Sequence, residues 1–400
     1  MRPDTRISMD NAATSFPKAP SVHEEMLRFA TQVGASPGRG AYRESREAGR
    51  LLMQCRRRIV QLINGERPEH IIFTLNATDA LNLAIRGVLG AAGQPAHAVT
   101  TWMDHNSVLR PLRALEQQTP LRVTRVECDP STGLVDPDDI RTAITPDTKL
   151  VAVAHGSNVS GTVQPIRQIG AICRECDIAF LVDAAQTVGH VPVDVQADLI
   201  DLLAFPGHKG LLGPLGTGGL YIRPGIEQRM VMVREGGTGS ASELDRQPDF
   251  LPDRFEPGSH NAIGIAGLSA GVKWILDQGV THVWAYEREL MSAMLDGLSE
   301  LVDVHRLTLQ GPTGQENRCG VFSVRVEGFD DPHDLSDRLE RRHGILTRPG
   351  LHCAPLAHRT LGTYDAGGST RLSVGPFIRT DDVRVACDAL AQIACSTVMA

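Results

Sequence analysis

Lysine is scarce in this chain, and one lysine has an unusual setting. The four lysines are Lys18, Lys149, Lys209 and Lys273. Lys209 follows the apolar run 199–205 through a Pro-Gly-His turn and precedes a glycine-rich segment. An amine at the end of a buried strand, where open α/β sheets bind ligands, loses solvent, which lowers its pKa and favours Schiff-base chemistry. The same sequence also suits a loop lysine that reaches water, and we expect the other three lysines to be solvated.

Further groups that could do chemistry follow other predicted strands. Asp183 closes the apolar run 178–182, and Gln186 lies close behind it. Asn76, Ala77 and Thr78 form a turn between a strand and an amphipathic helix, where free N–H groups and the helix dipole favour an anion. His105 follows the strand that ends at Trp102. Taken singly, these features are equally typical of a helix N-cap, a capped helix start and a surface histidine.

Together these groups match the needs of one cofactor. Pyridoxal 5′-phosphate (PLP) requires an acid at its pyridine nitrogen, a donor to its phenolic oxygen, a cradle for its phosphate and a surface under its ring. Asp183 is the candidate acid, the turn at Thr78 the candidate cradle, and His105 the candidate ring contact. Because each group follows a separate strand, the joint pattern predicts a PLP site around Lys209.

An alternating pattern of elements must position these residues. Between residues 70 and 225, β-rich runs at 71–75, 97–102, 121–127, 149–154, 178–182 and 199–205 alternate with helical periodicity, which is typical of a mainly parallel sheet. Two helices at 263–278 and 283–301, a strand at 321–326 and a final helix from Thr380 follow. We predict an α/β fold with a large PLP-binding domain over 15–262, and a small α+β domain from 1–14 and 263–400. Segments 207–219, 235–240 and 348–355 are predicted loops.

Composition and charge limit the class of protein. The chain is 42% hydrophobic, and its net charge of -7 argues against nucleic acid or an anionic membrane as a partner. No apolar stretch approaches the roughly 20 residues that span a bilayer, so we expect a cytoplasmic protein with reduced cysteines. Cys173 and Cys176 form an isolated Cys-x-x-Cys pair, which favours two core thiols and no metal site.

Seven short motifs occur in order along almost the whole chain. They are MDNAAT from residue 9, NAT from 76, DHN from 104, SNVSGT from 157, VDAAQ from 182, GHK from 207 and GLHCA from 350. With these motifs the chain resembles class V aminotransferase-fold enzymes, and most closely the cysteine desulfurase and selenocysteine lyase family. The resemblance implies the fold type I of PLP-dependent transferases.

The resemblance also implies roles for the cofactor and substrate contacts. Lys209 would hold PLP, Asp183 would pair with its pyridine nitrogen, Gln186 with its phenolic oxygen, and His105 would stack on its ring. The implied phosphate contacts are Ala77, Thr78, His208 and, from the neighbouring subunit, Ser259. This sharing implies a homodimer. Asn158 and Arg371 would orient the amino-acid substrate, Arg371 by a bidentate grip on its carboxylate.

Cys353 occupies the family's sulfur-accepting position. The resemblance implies that Lys209 removes the Cα proton of L-cysteine, that the Cys353 thiolate takes the sulfur as a persulfide, and that His105 transfers protons. The products would be alanine and a persulfide destined for an acceptor protein. The segment 348–355 is short and bracketed by prolines, so we expect it to be stiff. The sequence leaves open a selenocysteine lyase, or a class V lyase, aminotransferase or epimerase acting on another amino acid.

The chain departs from the family pattern at three places. Pro206 stands where relatives often have a serine that donates to the phosphate, and Ser259 stands for the more usual threonine. Ile378 and Arg379 stand where relatives often carry Asn-Thr. One phosphate contact is therefore expected to be missing or replaced.

Overall fold

The computed structural model describes residues 6–38, 40–90, 95–304 and 306–396. Its strands are β1 Ile7–Ser8, β2 Ile71–Thr74, β3 Ala96–Thr101, β4 Leu121–Val126, β5 Thr148–Ala154, β6 Ala179–Asp183, β7 Leu202–Pro206, β8 Gly218–Ile222, β9 Leu307–Leu309, β10 Val321–Val326, β11 Ile345–Leu346, β12 Arg348–Gly350 and β13 Ser369–Ser373. Its helices are α1 Pro20–Arg28, α2 Arg43–Leu62, α3 Ala77–Leu89, α4 Asn106–Gln118, α5 Pro137–Ala143, α6 Ile166–Glu175, α7 Ala262–Gln278, α8 Val280–Asp303, α9 Pro332–His343, α10 Pro355–Thr360 and α11 Thr380–Ser396. None of these helices is long and apolar enough to cross a membrane.

The central sheet contains seven strands in the order β2-β8-β7-β6-β5-β3-β4. Strands β7, β6, β5, β3 and β4 pair in parallel, whereas β8 is antiparallel to both β2 and β7. The predicted α/β fold with a mainly parallel sheet is confirmed. Strand β8 was not predicted from the sequence, because Gly218 and Gly219 continue a glycine-rich run that is typical of a turn. Phe205 leaves no room for a side chain at Gly219, where an added Cβ would lie 2.6 Å from its ring.

The strand predictions are confirmed with small shifts at the ends. The largest shift is at β7, which begins at Leu202 and not at residue 199. Leu199 has a φ of 55°, a left-handed conformation that belongs to a turn and not to a strand. Local hydrophobicity could not reveal this, because Leu199 and Ile200 are as apolar as the strand that follows them.

Both faces of the central sheet are buried, which explains the continuous apolar runs in its strands. In β6, Phe180 and Val182 face one hydrophobic core, and Ala179 and Leu181 face the other. Helices α1, α2 and α7 pack together on the first side, and α3 and α4 pack together on the second. The polar strand ends are left at one edge of this three-layer body.

A second body is formed by the C-terminal part of the chain. Its antiparallel sheet has the order β12-β13-β10-β9, and α8 and α11 pack against each other beside it. The N-terminal segment joins this body, because β1 pairs with β11 and Met9 lies in the same core. The domain limits at residues 14 and 262 stay a prediction, and α7 contributes its apolar face to the core of the central sheet.

Two sequence predictions need correction. Cys173 is buried in the core, but Cys176 follows the end of α6 and is exposed, so the prediction that both are core thiols is wrong for Cys176. Segment 348–355 is not a continuous loop, because residues 348–350 pair with β13 and Pro355 begins α10. Only residues 351–354 lie between regular elements.

A buried ion pair connects the two bodies. His190, which follows β6, places Nδ1 2.7 Å from Oε1 of Glu287 on α8, and both side chains are buried. Burial opposes a charged ring, but the carboxylate outweighs burial and raises the pKa of His190. An added Cβ at Gly210 would lie 2.6 Å from the His190 ring, so this pair also abuts the turn that carries Lys209.

Replacing Glu287 with alanine should lower the free energy of unfolding by about 3 kcal/mol near pH 6, because it leaves a buried charge without its partner. A raised pKa contributes stability below the unfolded value of about 6.5 and loses it as the pH rises through the folded value. The difference from wild type, measured by urea unfolding, should therefore shrink with rising pH. The control is Glu289→Ala, an exposed position on α8, and equal losses for the two variants would contradict this role.

Candidate active site

A cavity of about 540 Å³ opens at the carboxyl ends of β5, β6 and β7, beside the N-terminus of α3. Its lining includes eight of the eleven predicted site residues, which are Ala77, Thr78, His105, Asn158, Asp183, Gln186, His208 and Lys209. Parallel strands deliver their carboxyl ends to one edge, which is why residues more than a hundred positions apart meet here. Three predicted residues, Ser259, Cys353 and Arg371, do not line this cavity.

Lys209 lies in a tight turn directly after β7. Gly207 N donates to Thr217 O and Gly213 N donates to Gly207 O, which folds the turn back onto the sheet. Within the described chain the Lys209 amine makes no hydrogen bond or ion pair. Burial is the main cause that lowers the pKa of Lys209 to about 8, with Arg371 acting in the same direction. The amine is thus available as a neutral base or nucleophile near physiological pH.

Asp183 ends β6 and points one oxygen at its own chain. Oδ1 accepts a hydrogen bond from Ala185 N at 3.0 Å, and the other oxygen has no partner in the described residues. Burial raises the pKa of Asp183 to about 6, although the Ala185 amide and Lys209 both pull it down. A buried carboxylate with a free oxygen requires a cationic or N–H donor, which a protonated pyridine nitrogen provides.

The turn before α3 has the features of an anion site. Asn76 caps the helix by accepting from Asp79 N at 2.9 Å, and its carbonyl accepts from Ala80 N. The amides of Ala77 and Thr78 are left without partners in the described residues, as is typical of a helix N-terminus. His208 is also part of this wall, and its Nδ1 is buried without a hydrogen bond. Burial, followed by Lys209 and Lys18, lowers the pKa of His208 to about 4, so the neutral ring can donate to an anion.

Lys18 ties the N-terminal segment to the Lys209 turn. Its Nζ donates to Ser15 Oγ and to His208 O, each at 2.7 Å, while Thr14 and Ser15 donate to the same carbonyl. The expectation that Lys18 is a solvated side chain is therefore wrong, and burial lowers its pKa to about 8. The sequence held no sign of this contact, because the acceptor is a backbone oxygen 190 residues away.

His105 begins α4 and is held in one tautomer. Its Nδ1 accepts from Ser107 N at 3.0 Å, so the proton of the neutral ring lies on Nε2. Burial and then the positive charges of Lys209 and Arg348 lower the pKa of His105 to about 4. Ser107 Oγ continues the contact to Thr78 Oγ1 at 2.8 Å. His105 is therefore a neutral Nε2–H donor at physiological pH.

Asp104, which was not predicted as a site residue, holds the ends of β3 and β5 together beside His105. Its buried carboxylate accepts from Thr100 Oγ1, Thr101 N and Thr101 Oγ1 on β3, and from Ala154 N on β5 at 2.6 Å. The carboxylate thus joins the ends of two strands next to His105 and the cavity. Its place inside the Asp-His-Asn motif was the available signal.

Cys353 lies outside the main cavity, on the far side of His105. It is exposed, and it lines a second cavity that shares Thr78, His105 and Ser107 with the first. His352 and Cys353 have φ values of 50° and 58°, and Cys353 O accepts from Asn106 N. His352 is clamped by Arg348 O at 2.9 Å and by His358 at 3.2 Å. These contacts support the expectation of a short, stiff segment.

Asn158 and Arg371 form a bridge between the two bodies. Asn158 Nδ2 donates to His352 O at 2.6 Å, and Asn158 O accepts from Arg371 Nη1 at 3.1 Å. Arg371 Nη2 also donates to Asp10 Oδ1 at 2.7 Å, and its buried Nε has no partner. The Nε hydrogen and one hydrogen on each Nη of Arg371 are therefore left without a partner in the described residues. Asp10, the partner of Arg371, was not assigned a role from the sequence.

Ser259 lines a separate cavity of about 680 Å³. Its loop is anchored by the buried carboxylate of Glu256, which binds Arg56 and the backbone N of Phe73 on β2. His260 Nε2 is 3.1 Å from the same carboxylate. Within one chain, Ser259 does not contribute to the cavity around Lys209.

The residues around Lys209 fit PLP. Several polar groups of the kinds that PLP requires have no partner within the described residues. These groups are the Lys209 amine, the second oxygen of Asp183, the amides of Ala77 and Thr78, and Nδ1 of His208. Buried polar groups without partners are destabilising, so a ligand that satisfies them all at once would bind strongly.

The lowered pKa of Lys209 can be tested in protein freed of PLP. Trapping by borohydride with a small aldehyde such as glycolaldehyde should modify Lys209 with a rate that rises through about pH 8, against about 10.4 for a lysine in a model peptide. Peptide mass analysis separates the Lys209 product from that of Lys18. Lys209→Arg is the control for the site of labelling, and a rate that follows the model peptide would contradict the desolvated amine.

Comparison with known proteins places the chain in a family. Its sequence matches the family model of class V aminotransferases over residues 7–385. A probable cysteine desulfurase from Methanothermobacter thermautotrophicus is 32% identical, with 96% of this chain and 94% of that protein covered. A cysteine desulfurase from Yersinia pseudotuberculosis is 33% identical, with 94% and 90% covered.

Solved structures agree with this relationship. An apo cysteine desulfurase from Thermococcus onnurineus matches with a TM-score of 0.90 at 31% identity, covering 98% of this chain and 95% of that chain. A cysteine desulfurase from Escherichia coli shares the fold, with a TM-score of 0.85 at 24% identity and 98% and 95% covered. The chain therefore belongs to the class V aminotransferase family, and within it to the group of relatives that are named cysteine desulfurases.

Proposed function

We propose that this protein is a PLP-dependent cysteine desulfurase, which converts L-cysteine to L-alanine and passes the sulfur to Cys353. One observation carries the proposal. A desolvated lysine amine without a partner shares a cavity with Asp183, and an exposed cysteine stands just beyond the shared wall at His105. This reaction needs two groups, a lysine that acts at the Cα atom of the amino acid and a thiol that receives its sulfur.

Lys209, Asp183, Gln186, His208 and the Ala77–Thr78 amides are the residues that would hold PLP. When bound, PLP supplies an electron sink that makes the substrate Cα proton acidic. Asp183 would keep the pyridine nitrogen protonated, and Gln186 Nε2, which donates to Ala12 O at 3.1 Å, has a second hydrogen for the phenolic oxygen. Pro206 lines the cavity and has no donor, so His208 is the side chain that would compensate for the missing serine.

The chain's own groups would then handle protons and sulfur. Lys209, whose pKa is lowered to about 8, would take the Cα proton in its neutral form. The Cys353 thiolate would attack the substrate sulfur, so that an S–S bond forms as the C–S bond breaks. The electron pair of the broken bond stays on the substrate carbon, which is protonated to give alanine. His105, which lines both cavities and carries its proton on Nε2, would donate or accept that proton.

Substrate orientation would depend on Arg371 and Asn158. Arg371 is 1% exposed and is held by Asp10, so it presents its remaining N–H groups in a fixed direction. Asn158 lines the main cavity and also holds the Cys353 segment through His352 O. Asn158 would therefore position both the substrate and Cys353.

The proposal includes a homodimer, a cytoplasmic location and a protein that receives the sulfur. Ser259 stands in a separate cavity of its own chain, which is compatible with a contact to the phosphate in a second subunit. Cys353 is on a short segment clamped by hydrogen bonds, so an acceptor would have to approach the enzyme. The division into domains over 15–262 and over 1–14 with 263–400 also belongs to this proposal.

Replacing Cys353 with serine should abolish sulfur transfer but leave the PLP colour unchanged, because Cys353 is outside the cofactor cavity. With L-cysteine and a reductant, alanine and sulfide formation should fall by about 10²-fold or more, the lower range for a group that takes direct part in a reaction. Cys176→Ser, at another exposed cysteine, should keep wild-type activity. Unchanged sulfide release by Cys353→Ser would remove the persulfide mechanism.

The choice between cysteine and selenocysteine can be measured directly. A desulfurase that depends on the Cys353 thiolate should lose activity on L-cysteine in Cys353→Ser. Activity on selenocysteine should fall much less in the same variant, because selenide is the better leaving group. Ratios of kcat/KM for the two substrates in wild type and variant give the answer. A wild-type preference for selenocysteine that survives the substitution would instead favour the lyase.

A further inference from the structure

The second cavity, on the outer side of His105, has an unusual charge. It measures about 760 Å³ and is lined by Thr78, Asn82, Arg86, His105, Asn106, Ser107, Arg110, Pro111 and Cys353. Two of these residues are arginines, and none is acidic. Arg348 adds a third guanidinium, with Nη2 4.0 Å from Cys353 Sγ.

These arginines lack carboxylate partners within the described chain. Arg110 is exposed and makes no hydrogen bond or ion pair there. Arg86 contacts only a neutral amide, with Nε 3.3 Å from Asn82 Oδ1. By contrast, Arg113, one turn further along α4, lies 3.5 Å from Glu116. The positive charge around Cys353 is therefore left for a ligand to neutralise.

The effect of this charge is visible on a neighbouring group. After burial, the causes that lower the pKa of His105 are Lys209, Arg348, Arg110 and Arg371, in that order. His105 thus lies between the amine of Lys209 in the first cavity and the guanidinium of Arg110 in the second. Arg371 is already bound to Asp10 and lies on the substrate side. Arg86 and Arg110 lie on the outer side, where an acceptor of the sulfur would approach.

We infer that the outer cavity receives the cysteine of a sulfur-acceptor protein on an acidic segment, whose carboxylates pair with Arg86 and Arg110. This inference rests on the proposed function. A polypeptide segment fits better than a small thiol, because the cavity is open and Arg110 stands exposed at its rim. Since Cys353 is on a clamped segment, the acceptor has to bring its thiol to the enzyme.

The transfer step is balanced without an external oxidant. The acceptor thiolate attacks the outer sulfur of the Cys353 persulfide, and a new S–S bond forms on the acceptor. The old S–S bond breaks, and its electron pair leaves on Cys353 as a thiolate beside Arg348. Acidic flanks raise the pKa of a cysteine and slow its intrinsic attack, so faster transfer to an acidic peptide would have to come from the enzyme.

The test separates this step from the desulfurase reaction. Cys353 is loaded with sulfur from inorganic polysulfide, in a Cys176→Ser, Cys395→Ser background that removes the other exposed thiols. Loss of the persulfide is followed by mass analysis of the Cys353 peptide. The probes are N-acetylated peptide amides of sequence Glu-Gly-Cys-Gly-Glu, Gln-Gly-Cys-Gly-Gln and Lys-Gly-Cys-Gly-Lys. The rate at which each peptide discharges Cys353 is divided by the rate at which the same peptide reduces dipyridyl disulfide, an uncharged reference. This division corrects for the intrinsic reactivity of each peptide thiol.

The acidic peptide should discharge Cys353 about tenfold faster than the neutral peptide at low ionic strength, and the basic peptide should be slowest. The difference should vanish as salt is raised to about 0.5 M, where charges on the surface are screened. Arg86→Gln with Arg110→Gln should bring the acidic-to-neutral ratio close to one, and Arg110→Lys should retain most of it. Arg113→Gln is the matched control on α4 and should leave the ratio unchanged.

Equal rates for the three peptides, or a ratio that survives the double substitution, would overturn the inference. The inference would also fail if the rate ratio of mercaptosuccinate to 2-mercaptoethanol equalled the ratio of the acidic to the neutral peptide. That result would assign the cavity to small acidic thiols. A double variant that alters only the KM for L-cysteine would assign the arginines to the substrate. Because loading by polysulfide needs neither PLP nor L-cysteine, failure of the proposed desulfurase activity would leave this measurement intact.

Discussion

The amine of Lys209 lies in the cavity without a partner among the described residues, and the rest of the site depends on that constraint. An uncompensated lysine at such a place is unfavourable for the folded chain, which is why burial lowers its pKa to about 8. The surrounding structure holds it there. The Gly207 turn, the Lys18 contact to His208 O and the His190–Glu287 pair all support the short segment that carries the amine. The fold thereby maintains a reactive group that its own residues do not neutralise.

The same edge of the sheet separates two kinds of chemistry. On the inner side of His105, Asp183 and the α3 N-terminus offer groups for a planar, anionic cofactor. On the outer side, Cys353 stands among guanidinium groups. His105 serves as the wall between them, and Asp104 fixes that wall by joining the ends of β3 and β5. The proton on Nε2 of His105 is therefore placed between groups that line the two cavities.

The two bodies of the chain are coupled by side chains that also belong to the site. Asn158 and Arg371 connect the central sheet to β13 and to the Cys353 segment. Asp10, next to β1, completes the bridge. A change in the packing of the bodies would move Arg371, Asn158 and the Cys353 segment together, because hydrogen bonds connect all three.

The sequence by itself determined the fold class and most of the residues that meet in the first cavity. This was possible because each of those residues follows an apolar strand, and parallel strands of one sheet end at the same edge. The separation of Cys353 from that cavity, the pairing of Arg371 with Asp10 and the contact of Lys18 with His208 O were decided only by the tertiary structure. Each depends on a contact between segments distant in the chain, some with backbone atoms that carry no residue identity. Local patterns contain no information on such contacts. Strand β8 was missed for a different reason, because its first residues continue a glycine-rich run that is typical of a turn.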